Sequence, residues 1–182
     1  MTIPLPLSAD NVAAWPRRGA FSLPSGEALT DGWLDQVLDA VRQSGRRTAW
    51  LPADGGLISN LSLIENCLLP VQWQERLALA ELEARFTESL GRLGLSANEA
   101  GRFRQRPSQA SPRERQQTVF LRALMQRPEV LVIAGGALRG KYAGEPLDTV
   151  WPQWMSDSLL LYVGSDGPWP ELPAVESGGR GG

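Results

Sequence analysis

The sequence contains no histidine, one lysine and one cysteine among its 182 residues. Without histidine, Ser-His-Asp and Cys-His catalysis, histidine metal sites and an imidazole pH switch are all excluded. A Schiff-base enzyme would have to use Lys141, which stands alone against 17 arginines. Cys67 cannot form a disulfide within the chain, and this predicts a reducing compartment.

Long apolar runs and a strong charge excess are also missing. No stretch approaches the roughly 20 apolar residues of a membrane-spanning helix. The N-terminal residues include Pro4 and Pro6 and lack the basic start of a signal peptide. The net charge of -2 gives no general attraction to nucleic acid or anionic lipid. We therefore expect a soluble, cytosolic protein of one compact domain, with or without a small appendage.

Hydrophobic spacing predicts helices that alternate with buried strands. The helices are expected after Thr30, over 62–68, over 74–93 and over 112–126, and the strands over 48–51, 129–133 and 158–163. Pro70 is expected to end the second helix, and Ser62 to cap it with Glu65. In the long helix, one stripe should face the core, and it consists of Leu79, Leu82, Phe86, Leu90 and Leu93. Helices between buried strands imply an α/β fold.

Two collinear segments resemble the ATPases of ATP-binding cassette (ABC) transporters. Residues 50–70 read WLPADGGLISNLSLIENCLLP, which is similar to the Q-loop region of that family. Residues 110–133 read ASPRERQQTVFLRALMQRPEVLVI, which is similar to the signature helix and the Walker B strand. The resemblance covers about residues 47–165, and the wording of 57–70 is most similar to the branch that serves mammalian-cell-entry-type lipid transporters.

The resemblance implies a truncated ABC-ATPase-like core, related to the P-loop NTPases, with a helical subdomain. Residues 47–165 would form this α/β core, with the helical subdomain at about 62–127. Residues 1–46 would be a divergent region that replaces or lacks the P-loop subdomain, because the P-loop itself is missing. Residues 166–182, rich in glycine and proline, are expected to form a flexible tail.

The catalytic positions that the resemblance implies carry other residues. No G-x-x-x-x-G-K-[ST] motif precedes residue 50, although phosphate binding by this family needs its backbone amides and lysine. The signature motif LSGGE keeps Ser111 and Glu114, but its two glycines are matched by Pro112 and Arg113. The Q-loop glutamine, the Walker B aspartate, the catalytic glutamate and the switch histidine are matched by Ala53, Ala134, Gly135 and Ser165. We therefore expect a pseudo-ATPase with no catalytic residues, no cofactor and no metal.

One segment satisfies part of a P-loop motif. Residues 135–141, from Gly135 to Lys141, read GGALRGK and follow a predicted strand. Tyr142 replaces the serine or threonine of the motif, and Pro146 opposes the helix whose N-terminus should bind phosphate. An active ATPase that uses Lys141 is therefore the alternative interpretation, and nucleotide binding that is lost on Lys141→Ala would distinguish it.

The resemblance places the coupling helix of a transmembrane subunit on residues 59–70. We expect the partner-binding residues at the surface and Ile64 and Leu68 in the core. The predicted partner-binding residues are Ser59, Asn60, Leu61, Leu63, Arg113 and Arg115. The arginines of 102–115 are interpreted as a solvated face or as ion-pair partners of another subunit, and not as a nucleic-acid site.

The partners implied are an ABC permease, an active ATPase subunit, or both, with a homodimer or heterodimer as the assembly. The chain would then be cytoplasmic and peripheral at the inner face of the membrane through the permease, with no direct membrane insertion. A free-standing cytosolic adaptor without any transporter is the second alternative.

Overall fold

A parallel sheet flanked by helices forms the framework of the chain. The computed structural model describes residues 12, 15–23, 33–52, 55–134 and 157–163. The described strands are β1 (Gly19–Leu23), β2 (Thr48–Leu51), β3 (Val130–Ala134) and β4 (Leu159–Val163), and they pair in the order β1-β4-β3-β2. The described helices are α1 (Trp33–Gln43), α2 (Leu63–Gln74), α3 (Leu79–Arg92), a 3₁₀ helix (Ala97–Arg104) and α4 (Pro112–Met125).

The central strands are buried on both faces of the sheet, as their continuous apolar runs predict. Leu131 and Ile133 of β3 face a cluster formed with α2, α3 and α4. Val130 and Val132 of the same strand face the opposite cluster, which includes Val37 of α1. The α/β fold expected from the sequence is thus confirmed. The strand predicted at Thr48–Leu51 has those bounds, and Gly45, at a φ of +74°, follows the end of α1.

Helix α2 is longer than the sequence predicts. Proline lacks an N–H and usually ends a helix, so Pro70 was expected to stop it. That prediction is wrong, because α2 continues to Gln74 with Pro70 inside it. The buried face of α2 explains the extension: Cys67 and Val71 lie one turn apart in the core on either side of Pro70, and Val71 is fully buried. The Cys67 thiol also lies 3.5 Å from the Thr118 carbonyl of α4.

Helix α3 begins five residues later than predicted. Ala78 takes the N-cap position, and the carboxylate of Glu81 accepts its backbone N–H at 2.9 Å. Leu79 is 66% exposed, so the buried stripe starts at Leu82. The rest of the predicted stripe is confirmed, since Leu82, Phe86 and Leu90 are all buried. A salt bridge of 2.8 Å between Arg85 and Glu75 joins α3 to the end of α2.

The segment between α3 and α4 combines a short helix with irregular turns. It contains the 3₁₀ helix, whose Phe103 meets Phe86 edge to face with ring centroids 5.8 Å apart. Pro112 begins α4, as expected for a proline in the first turn. The described residues leave out 1–11, 13–14 and 24–32 of the N-terminal region and all of the tail at 166–182. Within the described part, no helix is long and apolar enough to cross a bilayer.

Substitution of Phe86 and of Leu82 tests whether the buried stripe of α3 stabilises the folded state. Phe86→Ala removes a ring that is 4% exposed, and Leu82→Ala a side chain that is 3% exposed. We expect the free energy of unfolding to fall by about 3–5 kcal/mol for the first and about 2–5 kcal/mol for the second. Urea denaturation measures both. Glu83→Ala, on the exposed face of the same helix, is the matched control and should change the stability by less than about 0.5 kcal/mol.

Candidate functional site

A groove lies where α2 begins, beside the end of the 3₁₀ helix. Its volume is about 480 Å³. We call it the docking groove, and its lining residues are Asn60, Ser62, Ile64, Glu65, Arg104 and Arg106. The groove therefore includes Asn60, which is one of the predicted partner-binding residues, and three further residues of the segment 59–70. Its two arginines come from a distant part of the chain.

The buried side chain of Asn66 holds the loop that leads into the groove. This amide is 1% exposed, and its Oδ1 accepts the N–H of Ile58 at 2.7 Å. Its Nδ2 donates to the carbonyls of Ser62 at 2.9 Å, Ile58 at 3.1 Å and Leu61 at 3.4 Å. In this irregular loop, the Asn66 side chain thus supplies the hydrogen-bond partners that backbone groups of Ile58, Leu61 and Ser62 need.

Arg122 of α4 holds the other end of the same loop. Its guanidinium donates to the carbonyl of Gly56 at 2.7 Å and to that of Gly55 at 2.8 Å. Gly55 has a φ of +80°, and a Cβ there would lie 3.2 Å from Val119. Since both the conformation and the close approach favour glycine, Gly55 allows the loop to lie directly on α4.

Ser62 and Glu65 fix the start of α2 by a reciprocal capping box. The carboxylate of Glu65 accepts the Ser62 N–H at 2.7 Å and its hydroxyl at 2.6 Å, and Ser62 Oγ accepts the Glu65 N–H at 3.3 Å. The hydrogen bonds from Ser62, with a smaller contribution from Arg106, lower the pKa of Glu65. Glu65 is therefore a carboxylate at neutral pH, on the wall of the groove.

One backbone hydrogen bond brings the arginines to this wall. The N–H of Leu63, which no residue of its own helix can accept, donates to the carbonyl of Gln105 at 2.9 Å. Arg104 and Arg106 flank Gln105, and both are exposed. The groove therefore combines a half-buried apolar floor at Ile64 with one carboxylate and two guanidinium groups.

The expected exposure of Leu63 is wrong. Leu63 is 0% exposed, whereas Ile64 and Leu68, the expected core pair, are only partly buried. The cap at Ser62 makes Leu63 the first helical residue, so that Leu63, Cys67 and Val71 share the face that packs inward. Leu63 is thus a core residue and not part of a docking surface. Ser59 and Asn60 are exposed and Leu61 is half-buried, as a surface position requires.

At the start of α4, which the sequence resemblance matches to the signature motif, the side chains of Ser111 and Glu114 hydrogen-bond to each other. The carboxylate of Glu114 accepts the Ser111 N–H at 2.8 Å and the Ser111 hydroxyl at 2.7 Å. These bonds lower the pKa of Glu114, and Pro112 supplies no N–H. A helix N-terminus ordinarily attracts anions, but here a second anion would meet the negative charge of Glu114.

Arg113 and Arg115, the predicted partner-binding residues at the start of α4, differ in their surroundings. Arg115 donates to the carbonyl of Ala110 at 2.7 Å and to that of Pro107 at 3.2 Å, so its guanidinium stabilises the turn before α4. Arg113 is exposed on the first turn of α4. Neither residue lines the docking groove.

The positions matched to the nucleotide site follow the carboxyl ends of the parallel strands. Ala134 is the last residue of β3, where it pairs with Val163 of β4. Ala53, Gly135, Ser165 and Lys141 lie outside the described residues. Nor do the described residues contain a cluster of three or more carboxylate or cysteine side chains that could hold a metal ion.

Asn66 is the contributor to this site that the sequence does not single out. Its one signal is a polar residue next to Cys67 in an apolar helix, which requires a special hydrogen-bonding role if it is buried. Arg104 and Arg106 belong to the run that the sequence assigns to a solvated face or to ion pairs with another subunit, but their place in this groove depends on the distant contact between Leu63 and Gln105.

Replacement of Asn66 tests its control of the loop. Asn66→Leu retains approximate volume but leaves the Ile58 N–H and nearby carbonyls without their partner, so we expect a loss of about 2–3 kcal/mol in unfolding free energy. Hydrogen exchange of the Ile58 amide should accelerate as well. Asn98→Ala, at an exposed position of the 3₁₀ helix, is the control. An unchanged Ile58 exchange rate in Asn66→Leu would contradict this assignment.

The chain is similar in sequence to the ATP-binding subunits of transporters. No family model matches it. Methionine import ATP-binding protein MetN 2 from Pseudomonas aeruginosa is 30% identical over 109 residues, and lipoprotein-releasing system ATP-binding protein LolD from Jannaschia sp. is 31% identical over 107 residues. Each alignment covers 59% of this chain but only 31% and 44% of the respective relative. The chain thus spans less than half the length of these relatives.

Two solved structures share the fold. The dimeric ATP-binding cassette MJ0796 in a post-hydrolysis state, bound to ADP and Pi, superposes with a TM-score of 0.56 at 19% identity. A second dimeric structure of MJ0796, a bacterial ABC transporter cassette, gives 0.54 at 21% identity. Both matches cover 70% of this chain and 56% of the solved chain. The described part of this chain therefore has the α/β fold of an ABC ATPase, truncated relative to the solved cassettes.

Proposed function

We propose that this chain is a non-catalytic, ABC-ATPase-like subunit or regulator of an ABC-type transport complex. The observation that carries the proposal is a contrast between two regions. The groove at the start of α2 is fully built, with its loop, cap and charged walls in place. The positions matched to nucleotide chemistry have lost the side chains that such chemistry requires.

The sequence at the nucleotide positions supports a loss of ATP hydrolysis. Phosphoryl transfer depends on a P-loop lysine, on a carboxylate that holds Mg²⁺ and on groups that orient the attacking water. Ala134 and Gly135 can supply neither a metal ligand nor a base. At the start of α4, Pro112 and Arg113 stand where the signature motif has its two glycines, so the close approach of the backbone to a partner's phosphate is not available.

The docking groove supports an interaction with a helical partner segment. An amphipathic helix binds a groove by placing apolar side chains on its floor and polar ones against its rim. Here the floor is Ile64, and Arg104 and Arg106 favour acidic residues on the partner. The partner proposed is the cytoplasmic coupling helix of an ABC permease, and this would hold the chain at the inner face of the membrane.

The transported substrate is proposed only from the amino-acid sequence of one segment. The segment 57–70 is most similar to the branch of lipid transporters named above, and this directs the proposal toward lipid transport. The relatives named for methionine import and for lipoprotein release serve different cargoes, so the common ground among them is the ATP-binding subunit of a transporter. An active ATPase subunit that dimerises with this chain is proposed as the second partner.

Calorimetric titration with Mg-ATP tests the absence of nucleotide binding. We expect no binding at micromolar concentrations, because the phosphate and metal ligands are missing. A micromolar dissociation constant, equivalent to about -8 kcal/mol, would contradict the proposal. If that binding also disappeared in Lys141→Ala, the result would favour the alternative of an ATPase that uses residues 135–141.

Charge reversal on the rim of the groove tests the docking site. Arg104→Glu should abolish co-purification of a permease from detergent-solubilised native membranes, because the partner's acidic residues would meet a carboxylate. Arg104 is exposed, so the melting temperature should remain that of the wild type.

Arg76→Glu provides the matched control, since Arg76 is exposed and does not line the groove. Permease capture that is equal in wild type and Arg104→Glu would show that docking uses another surface. Failure of the wild type to capture any permease would favour the free-standing adaptor.

A further inference from the structure

A second groove follows the outer edge of β2, at the amino end of the sheet. Its volume is about 530 Å³, and we call it the arginine groove. Helix α1 and the turn after it form one side, and the ends of α2 and α4 form the other. Its lining residues are Leu38, Arg42, Gly45, Arg46, Arg47, Thr48, Ala49, Trp50, Gln74 and Gln126.

The strand within this groove has an unpaired edge. In the sheet order β1-β4-β3-β2, β2 is terminal, and no other described strand pairs with it. The carbonyl of Arg47 accepts the N–H of Val130, and Thr48 is in register with Val130. In a parallel ladder of this register, the N–H and C=O groups of Thr48 and Trp50 point away from β3. These groups therefore face the arginine groove.

The groove is positively charged at one end, although the chain as a whole carries a net charge of -2. Arg46 is half-buried, and its Nη1 is a buried donor without a hydrogen-bond partner among the described residues. Arg47 is exposed and uses its Nε to bond the Arg127 carbonyl at 3.1 Å. Arg42 pairs with Asp39 across 3.2 Å, but both side chains are more than 60% exposed, so this pair contributes little.

Two nearby carboxylates offset part of this charge. Asp39 pairs with the exposed Arg42, and Glu129, whose carboxylate accepts the backbone N–H of Arg47 at 3.0 Å, also interacts electrostatically with Arg46. Neither carboxylate lines the groove, whereas three arginines do. The groove thus combines free backbone donors and acceptors of a strand with guanidinium groups at one end and the half-buried Trp50 at the other.

We propose that the outer edge of β2 binds an extended acidic segment of a partner protein, which adds to the sheet as a further strand. Main-chain hydrogen bonds to Thr48 and Trp50 would provide the pairing, as in other cases of strand addition. Trp50 and Arg47 are about 10 Å apart along a strand at about 3.3 Å per residue. The segment would accordingly carry an aliphatic side chain against Trp50 and acidic residues three or four positions away, opposite Arg47 and Arg46.

Charge complementarity favours this occupant over a second copy of the chain. A two-fold pairing of β2 with β2 would be antiparallel, and with Thr48 of one copy opposite Trp50 of the other it would place Arg46 and Arg47 opposite Pro52 and Leu51. Such a dimer would leave the arginines without carboxylates to neutralise them. An acidic segment instead places carboxylates opposite the arginines.

Selection from a random dodecapeptide library displayed on phage, against the full chain, tests the proposal. We expect enriched peptides that combine aliphatic residues with Asp or Glu at the spacing given above. Fluorescence anisotropy of one enriched peptide should then give a dissociation constant that Thr48→Pro and Arg47→Glu each weaken at least tenfold. Arg76→Glu, which changes the same charge away from the groove, should leave it unchanged.

Thr48→Pro is the discriminating variant, because it removes an N–H that points away from β3, and proline is tolerated at the first residue of an edge strand. It also removes the hydrogen bond from the Thr48 hydroxyl to the Arg46 carbonyl at 3.0 Å, so Thr48→Val, which loses that bond but keeps the N–H, is its matched control and should bind like the wild type. If that variant does not fold, a peptide N-methylated at alternate residues provides the same test without altering the protein. Enrichment of basic peptides, absence of enrichment, or unchanged binding to Thr48→Pro and by the N-methylated peptide would overturn the proposal. A wild-type dimer that Thr48→Pro dissociates would overturn it in favour of a second copy.

Discussion

The docking groove depends on the hydrogen bonds of one buried amide. The loop at 55–62 has no regular structure, so its backbone groups need partners from elsewhere, and Asn66 provides them from within α2. The same helix then presents the N–H of Leu63 to Gln105, and this contact places Arg104 and Arg106 opposite Ile64. The shape and charge of the groove are therefore consequences of how α2 begins.

The fold and the proposed loss of catalysis are compatible because they depend on different residues. Stability comes from strands buried on both faces and from the stripes of α2, α3 and α4, which meet in one large cluster. The positions matched to catalysis come at or after strand ends, where a parallel sheet places its chemistry. Ala134 completes the pairing of β3 with β4 without any need for a carboxylate. Small residues at such positions leave the core intact.

Local signals allowed much of the fold to be predicted from sequence. The strand at Thr48–Leu51, the cap at Ser62 and the helix start at Pro112 each depend on a few adjacent residues, and the structure confirms them. The wrong predictions concern positions whose structure depends on contacts with residues that are distant in the sequence. Pro70 remains helical because Cys67 and Val71 pack against the core, and Leu63 is buried because the cap sets the orientation of the whole helix. The apolar residues of α2 alone do not indicate which face of the helix packs inward.

A parallel sheet has two ends and two edges, and in this chain they differ in chemistry. At the carboxyl end, β3 finishes at the uncharged Ala134, the position matched to the Walker B aspartate. At the amino end, arginines from the α1–β2 turn gather beside the terminal strand. The outward direction of Thr48 and Trp50 follows from sheet order and register alone. The inference for the outer edge of β2 therefore does not depend on whether a permease occupies the docking groove. A chain that binds no ATP would still have two separate surfaces with which to join an assembly.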